Sequence, residues 1–540
     1  MAVSNEREAG EVMAPAEGAG SIARGAGSMA AATILSRITG FARDAAILAI
    51  FGASGGGVWV LAWTLPNAMR RLLGEGSLTI SFVPLFVAKL EHEGPGEARC
   101  FLGRALGLAA AVLLVLAAAA VLLMPQIVGL LAPSWRATPE VFGEAVRLAR
   151  IAFPYLFFVG LVALAMGVLN SVRRFFVPAV SPAILNLSLI AGALFLSKHL
   201  DPPLTAVAWA ALFGGLLQVL LVFAAMAREG FPPLPRFDWR DPTLKKLVLL
   251  MAPATFGASI HQVNILLSRS FAASVGQSAV AWLYAADRLI ELPLGLFAVS
   301  IAVASLPNLS RHAARKDHGG YVATLQGSLG QLLFVVLPAA AGLAVLARPL
   351  VATVFQRGAF SVQDTEAAAM ALVLYSAGLP FVSASRVVVQ GFYALEDTRT
   401  PVAVGVVSVL TFGGSAALLT PRLGHLGIAA ASSLAAAVNL VVNLALLRRK
   451  VGRLGLSRVA ATVLRCLPGL AAMAVAAHLC ARLGVWEAGA TGLDAATARN
   501  VAVLGLSVLA GALAYAFATV ATRTQEAHAA LAALRRRLSR

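Results

Sequence analysis

The chain has 540 residues, 59% of them hydrophobic and only 13% charged, with a mean hydropathy of +0.83, whereas soluble domains carry about 25% charged residues. This excludes a water-soluble globular protein. The formal net charge of +18 does not indicate a nucleic-acid partner, because most of the basic residues fall in short loops between apolar runs, which is a topology signal.

Residues 1–20, rich in Ala, Gly and Glu, read as a disordered tail. Fourteen apolar runs follow, at 26–51, 57–88, 103–131, 146–169, 178–197, 204–227, 246–273, 279–309, 325–355, 367–394, 401–420, 424–447, 458–482 and 498–521. Each is long enough to cross a hydrocarbon core of about 30 Å. They are continuously apolar rather than alternating, so they predict helices and not a barrel. Taken alternately, the loops separate into a basic set, with Arg173, Arg174, Lys245, Lys246, Arg448, Arg449 and Lys450, and a sparse set with Arg136, Lys198 and Arg357. By the positive-inside rule both termini are cytoplasmic, which an even number of spans permits.

Sliding the chain against itself by 223 to 226 residues aligns Pro84 with Pro307, Gly107 with Gly330, Pro125 with Pro349, Pro154 with Pro380, Gly167 with Gly391 and Pro178 with Pro401. The expected fold is an all-α polytopic membrane protein with about 14 transmembrane helices: two pseudo-symmetric six-helix lobes, 21–227 and 246–450, plus two C-terminal helices in 451–522. A cytoplasmic Pro-rich linker at 228–245 joins the lobes, and a basic tail at 523–540 ends the chain, with Arg535, Arg536, Arg537 and Arg540 suited to anionic lipid. Parallel repeats of this kind place a transporter's site between the lobes.

Charged residues interrupt the spans. The first holds Ser36, Arg37, Arg43 and Asp44, the second Arg70, Arg71 and Glu75, and the eighth Asp287, Arg288 and Glu291. A single Arg at the bilayer centre costs about 2.5 to 3.5 kcal/mol on insertion scales, so these groups face water, each other or an anion. Arg71 and Glu75, at i and i+4, are spaced to pair. Arg37, Arg43, Arg70 and Arg288 are the candidate anion-binding cations, since a guanidinium fork matches phosphate. Asp44, Arg71, Glu75, Asp287 and Glu291 are candidate gating or ion-pair residues, and ion pairs that only lock helices together are the bland alternative. Gly52–Gly57 and Gly74–Gly76 are candidate hinges. Intramembrane His261, Asn264, Gln390 and Asn186 read as helix-packing hydrogen bonders. Cys100, Cys466 and Cys480 suggest no disulfide framework. Without a Walker A sequence or an HExxH, neither a metal nor a cofactor is expected, and nothing points to an enzyme; coupling to membrane potential or an ion gradient is left open.

The stretches SRITGFARDAAILAIFGAS, LPNAMRRLLGEGSLTISFVPLF, YAADRLIELPLGLF and QGFYALEDTRTPV, with the linker PRFDWRDP, resemble the MurJ/MviN family of lipid II flippases, within the superfamily of multidrug and oligosaccharidyl-lipid exporters. The resemblance implies a bacterial inner-membrane protein that moves an undecaprenyl-pyrophosphate-linked disaccharide-pentapeptide from the cytoplasmic to the periplasmic leaflet for peptidoglycan synthesis. It puts the family's essential cavity arginines on Arg37, Arg43, Arg70 and Arg288, beside Ser36, and a groove for the polyprenyl tail on the last two helices. Lipid II and membrane lipids are then the partners, the cell-wall synthesis machinery a further one, and a monomer is expected. Two positions depart from the family pattern: Thr64 stands where relatives often carry Lys, and the GASGGG run around Gly57 replaces an acid common in the outer loop before the second span. Rival readings are a flippase for another polyprenyl-linked glycan and an ion-coupled drug exporter of the same superfamily. A membrane transferase would need clustered loop acids, and Asp238, Asp241, Glu396 and Asp397 are scattered.

Overall fold

The computed structural model describes residues 17–72, 78–238, 241–486 and 495–528. Glu75, Gly74, Gly76, Arg240 and the four tail arginines lie outside them. Seventeen helices are described: α1 Glu17–Arg70, α2 Leu78–Leu122, α3 Met124–Leu131, α4 Pro139–Ala152, α5 Tyr155–Ser171, α6 Phe176–Leu194, α7 Thr205–Arg228, α8 Pro242–Val275, α9 Gln277–Pro293, α10 Val299–Ala314, α11 His318–Val345, α12 Ala347–Phe355, α13 Val362–Ala394, α14 Arg399–Leu423, α15 His425–Val451, α16 Ser457–Ala481 and α17 Ala495–Ala521. The first begins at Glu17, inside the segment expected to be a disordered tail.

Local chemistry explains several boundaries. The Asp241 carboxylate accepts from the Thr243 N–H at 2.7 Å, with Pro242 at the first helical position, and so starts α8. Ser361 and Asp364 form a capping box that starts α13. Gly52, at φ 67°, lies between two helical limbs of α1, a backbone setting that disfavours any residue with a Cβ. Gly94, at φ 85°, divides α2 in the same way.

Twelve helical stretches among the described residues are long and apolar enough to cross a membrane. The expected fourteen are not reproduced, for two reasons. The first three expected spans become two stretches, Ala32–Arg70 and Ser81–Leu122, because helix resumes immediately after Gly52 and Gly94. The α8 helix, 34 residues long, is not among the twelve. The hinge expected over Gly52–Gly57 narrows to Gly52, since residues 53–57 are helical. Gly57 therefore stands in a helix and not in an outer loop.

The internal repeat extends to where the helices break. The second limb of α1 passes into a π-helical turn at residues 71–72, where the described residues pause, and 223 residues later a π-helical segment, Leu294–Ala298, separates α9 from α10. Such turns are frequent at functional sites.

In the first lobe α1 packs on α6, α6 on α7, and α2 and α7 on α5; in the second, α15 packs on α13 and α14, and α11 on α13. The main seam between lobes is α1 against α9, with α2 against α8 beside it, and α16 and α17 pack together beside α11. Near the Gly52 end the lobes share one apolar core, which joins Leu48, Trp59 and Trp63 to Val280, Ala281, Phe355 and Phe360. Two further cores lie away from that end: one of Phe82, Phe86, Phe101 and Phe231, which the start of α8 joins through Leu244 and Leu247, and one of Leu309, Tyr321, Leu332 and Phe392 within the second lobe. The lobes thus share their broadest core at the Gly52 end, and elsewhere the first lobe's core takes in only the start of α8.

The linker is pinned rather than loose. The Arg236 N–H donates to the Gly103 carbonyl at 2.8 Å, and the Arg104 guanidinium reaches Asp238 at 3.1 Å and Asp241 at 2.8 Å. A Cβ on Gly107 would stand 2.2 Å from the Arg236 carbonyl oxygen, so α2 and the linker touch backbone to backbone.

Candidate substrate site

Along the seam the charged residues converge from both lobes. Arg43 and Asp44, adjacent on α1, meet Tyr284, Arg288 and Glu291 on α9. Arg43 donates to Asp44 Oδ1 from Nε at 2.9 Å and from Nη2 at 2.6 Å, and its Nη1 donates to Asn186 Oδ1 at 2.9 Å. The Tyr284 hydroxyl donates to the same Asp44 oxygen at 3.1 Å. Arg288 Nε donates to Asp44 Oδ2 at 2.7 Å, and its Nη1 to Glu291 at 2.6 Å. Asp44 is 4% exposed and is therefore a buried carboxylate held between two guanidiniums of opposite lobes.

Around this knot lie the remaining cations. Arg71 reaches Glu291 at 3.4 Å. Arg70 Nε donates to Asn67 at 3.1 Å. Arg269, on α8, is buried 3.7 Å from Asp287 and lies over the Tyr284 ring at 5.4 Å. Arg37 is exposed, and among the described residues it makes no ion pair; its guanidinium sits over Gly295, where an added Cβ would come within 3.1 Å of it.

These groups line two cavities that share Arg37, Arg71, Arg288 and Glu291. One, of about 310 Å³, is also lined by Ser36, Arg43, Asn67 and Arg70; the other, of about 520 Å³, also by Arg269, Asp287, His261 and Arg386. Seven guanidiniums in these walls, from Arg37, Arg43, Arg70, Arg71, Arg269, Arg288 and Arg386, face two carboxylates among the described residues, from Asp287 and Glu291, with Asp44 in the small adjoining cavity. The surplus is positive and surrounded by low-dielectric walls, a setting that concentrates anions.

All four candidate cations line the cavities, as does Ser36, and the structure divides them in a way the sequence reading does not. Arg43 and Arg288 are tied to Asp44, while Arg37 projects without an acidic partner among the described residues. The pairing considered for Arg71 with Glu75 falls outside the described residues, and Arg71 instead meets Glu291. Asn186 is a ligand of the knot as well as a packing residue, because its amide also donates to the Ser36 carbonyl at 3.1 Å. Arg269, Arg386 and Tyr284 were not singled out. An Arg inside each of the runs NILLSRSFAAS and FVSASRVVVQ was the available signal.

The two departures have structural settings. Thr64 is buried and its hydroxyl donates back to the Val60 carbonyl at 2.6 Å; it lines a small cavity together with Arg269. Gly57 meets the start of α9 so closely that an added Cβ would stand 1.9 Å from the Gln277 carbonyl oxygen. A longer side chain does not fit this contact as the lobes stand.

The family sequence model described as Lipid II flippase MurJ matches residues 47–493. The chain belongs to the lipid II flippase MurJ family. Its relatives include the probable lipid II flippase MurJ of Haemophilus influenzae, 34% identical over 421 residues covering 75% of this chain and 82% of that one. The protein of the same description from Rhizobium meliloti is 38% identical over 415 residues, covering 76% and 77%, and the lipid II flippase MurJ of Burkholderia cenocepacia is 33% identical over 412 residues, covering 75% and 80%. Among solved structures, "Lipid II flippase MurJ, inward closed conformation" superposes with a TM-score of 0.73 at 22% identity, over 91% of this chain and 97% of that one. An inward-facing multidrug resistance MATE transporter superposes with a TM-score of 0.65 at 15% identity, over 78% and 94%. These two likenesses establish the fold: the MurJ family chain is a multi-pass membrane protein built on the MurJ and MATE architecture.

Proposed function

We propose that this chain moves lipid II from the cytoplasmic to the periplasmic leaflet of the bacterial inner membrane by alternating access, with fourteen spans and both termini cytoplasmic. The carrying observation is the surplus of guanidiniums over carboxylates in a cavity between two lobes whose broadest shared apolar core lies at one end. The shared core around Trp59, Trp63 and Phe360 is the periplasmic closure, and the cavity opens toward the cytoplasm. The pyrophosphate is held by Arg37 and Arg70, with Arg43 and Arg288 drawn from Asp44 as the anion arrives; the prenyl chain stays in lipid against α16 and α17. No covalent step is required, and a membrane potential or ion gradient supplies direction.

The test is complementation. A bacterial host depleted of its own flippase receives this chain, either unaltered or with Arg37, Arg43, Arg70 or Arg288 changed to Ala, and membrane levels are measured alongside. Growth and periplasmic delivery of lipid II by the unaltered chain, with loss in normally inserted variants, is the expected result. An unaltered chain that fails, or four variants as active as it is, overturns the proposal.

A further inference from the structure

Beyond the seam, a third cavity of about 530 Å³ runs into the second lobe, between α8, α13 and α15. Its volume is in the range of pockets that hold organic ligands. Arg386, on α13, lines both this cavity and the adjoining 520 Å³ one, is exposed into them, and among the described residues has no acidic partner. The adjacent Ser385 is 7% exposed, lines the same cavity, and its hydroxyl has no hydrogen-bond partner among the described residues. Across the space stands His261, whose ring is also exposed. The one carboxylate in the wall, Asp287, is turned to Arg269 at 3.7 Å. A guanidinium inside a membrane span without a paired acid is costly unless something anionic meets it.

We infer that Arg386, with Ser385 and His261, forms a second anion subsite in the C-terminal lobe, which takes a single carboxylate-sized monoanion. Arg386 supplies two parallel N–H donors and Ser385 a hydroxyl donor. A pentapeptide ends in a carboxylate, so the subsite suits the far end of the proposed cargo while the pyrophosphate sits at the seam; that assignment of the source rests on the reading above. A free halide has the same charge and is the other source.

The test uses the full-length chain in detergent with three probes: lipid II with its peptide carboxylates free, the same lipid with them amidated, and sodium bromide. The unaltered chain binds the free acid about tenfold or more tightly than the amide, the loss expected when hydrogen bonds to a charged group are removed. Arg386→Gln abolishes that preference, whereas Arg37→Gln weakens both lipids together and keeps it. If amidation has no effect but bromide binding falls in Arg386→Gln and not in Arg37→Gln, the subsite stands and its occupant is a halide. Equal binding of both lipids with bromide binding unchanged in Arg386→Gln overturns the subsite. An unaltered chain that binds neither lipid while Arg386-dependent bromide binding persists overturns the cargo assignment and leaves the subsite.

Discussion

Asp44→Asn tests whether the buried knot joins the lobes. The native carboxylate takes Arg43 and the Tyr284 hydroxyl on Oδ1 and Arg288 on Oδ2. An amide keeps one acceptor and replaces the other with a donor. In either orientation one guanidinium, on the first lobe or the second, faces an N–H group, and both lose the Asp44 countercharge. Both guanidiniums are largely buried, with 13% and 20% of their side chains exposed. Removing one partner of a buried ion pair costs about 3 to 5 kcal/mol, because the remaining charge stays desolvated. The measurement is thermal unfolding of the purified chain in detergent, for Asp44→Asn, Arg288→Gln and the double variant. Each single change lowers the midpoint, and the double change loses less than their sum, since the Asp44–Arg288 contact can be lost only once while Arg43 is left without its carboxylate in both the Asp44→Asn and the double variant. A coupling below about 0.5 kcal/mol, the scatter of independent sites, would refute the idea that Asp44 joins the lobes through Arg288.

Three further outcomes follow from the packing and the loops. Gly57→Ala drives a methyl toward the Gln277 carbonyl, which is backbone and cannot swing aside; a loss of about 1 to 3 kcal/mol is expected from overpacking, read as a lower midpoint, and an unchanged midpoint refutes the close contact. Gly107→Ala pushes against the Arg236 carbonyl, so the linker lifts from α2 and trypsin cuts after Arg236 faster than in the unaltered chain; equal cleavage rates refute the backbone contact. Burial raises the Asp397 carboxyl, but the Lys450 ammonium and the Thr400 hydroxyl and N–H outweigh it and hold the group at about 2. Because that value lies below the ordinary carboxylate range, Asp397 contributes stability above about pH 4, and the contribution fades as pH falls toward 2. The midpoint difference between the unaltered chain and Asp397→Asn therefore narrows as pH falls from about 5 to 2; a constant difference refutes the ion pair.

Which residues border the cavities was legible because charge inside an apolar run has few places to go. Arg37, Arg43, Arg70 and Arg288 could be picked out one by one on that ground. Their division into tied and projecting groups was not legible, since it depends on contacts such as Arg288 with Asp44, 244 residues apart in the chain. Arg269 and Arg386 carry the same signal, each inside an expected span, 246–273 and 367–394, and were not singled out. The span boundaries differ at Gly52, where a single residue breaks the helical geometry between two apolar limbs, and at Gly94, where helix runs through the polar stretch 89–99 that reads as a loop. The contact at Gly57 was invisible for a different reason: a glycine run reads as a hinge, and only the approach of α9 shows that its lack of a side chain serves packing.

The arrangement of charge bears on how the cavity avoids trapping what it binds. A pyrophosphate diester carries two negative charges, and seven guanidiniums with no acids would hold it tightly in an interior where charges are weakly screened. Asp44 and Glu291 offset part of that field at the seam, and both are positioned to take Arg288 back when the anion leaves. Both sit near the π-helical segments at residues 71–72 and Leu294–Ala298, at equivalent places in the two lobes. A helix break beside an exchangeable ion pair allows the lobes to change their relative tilt while the charges change partners. Replacing Glu291 with Gln then leaves Arg71 and Arg288 without their shared acid, and the variant should bind lipid II more tightly but deliver it more slowly. Binding and delivery measured on the same preparation decide the matter: if both fall together, Glu291 only holds the helices in place.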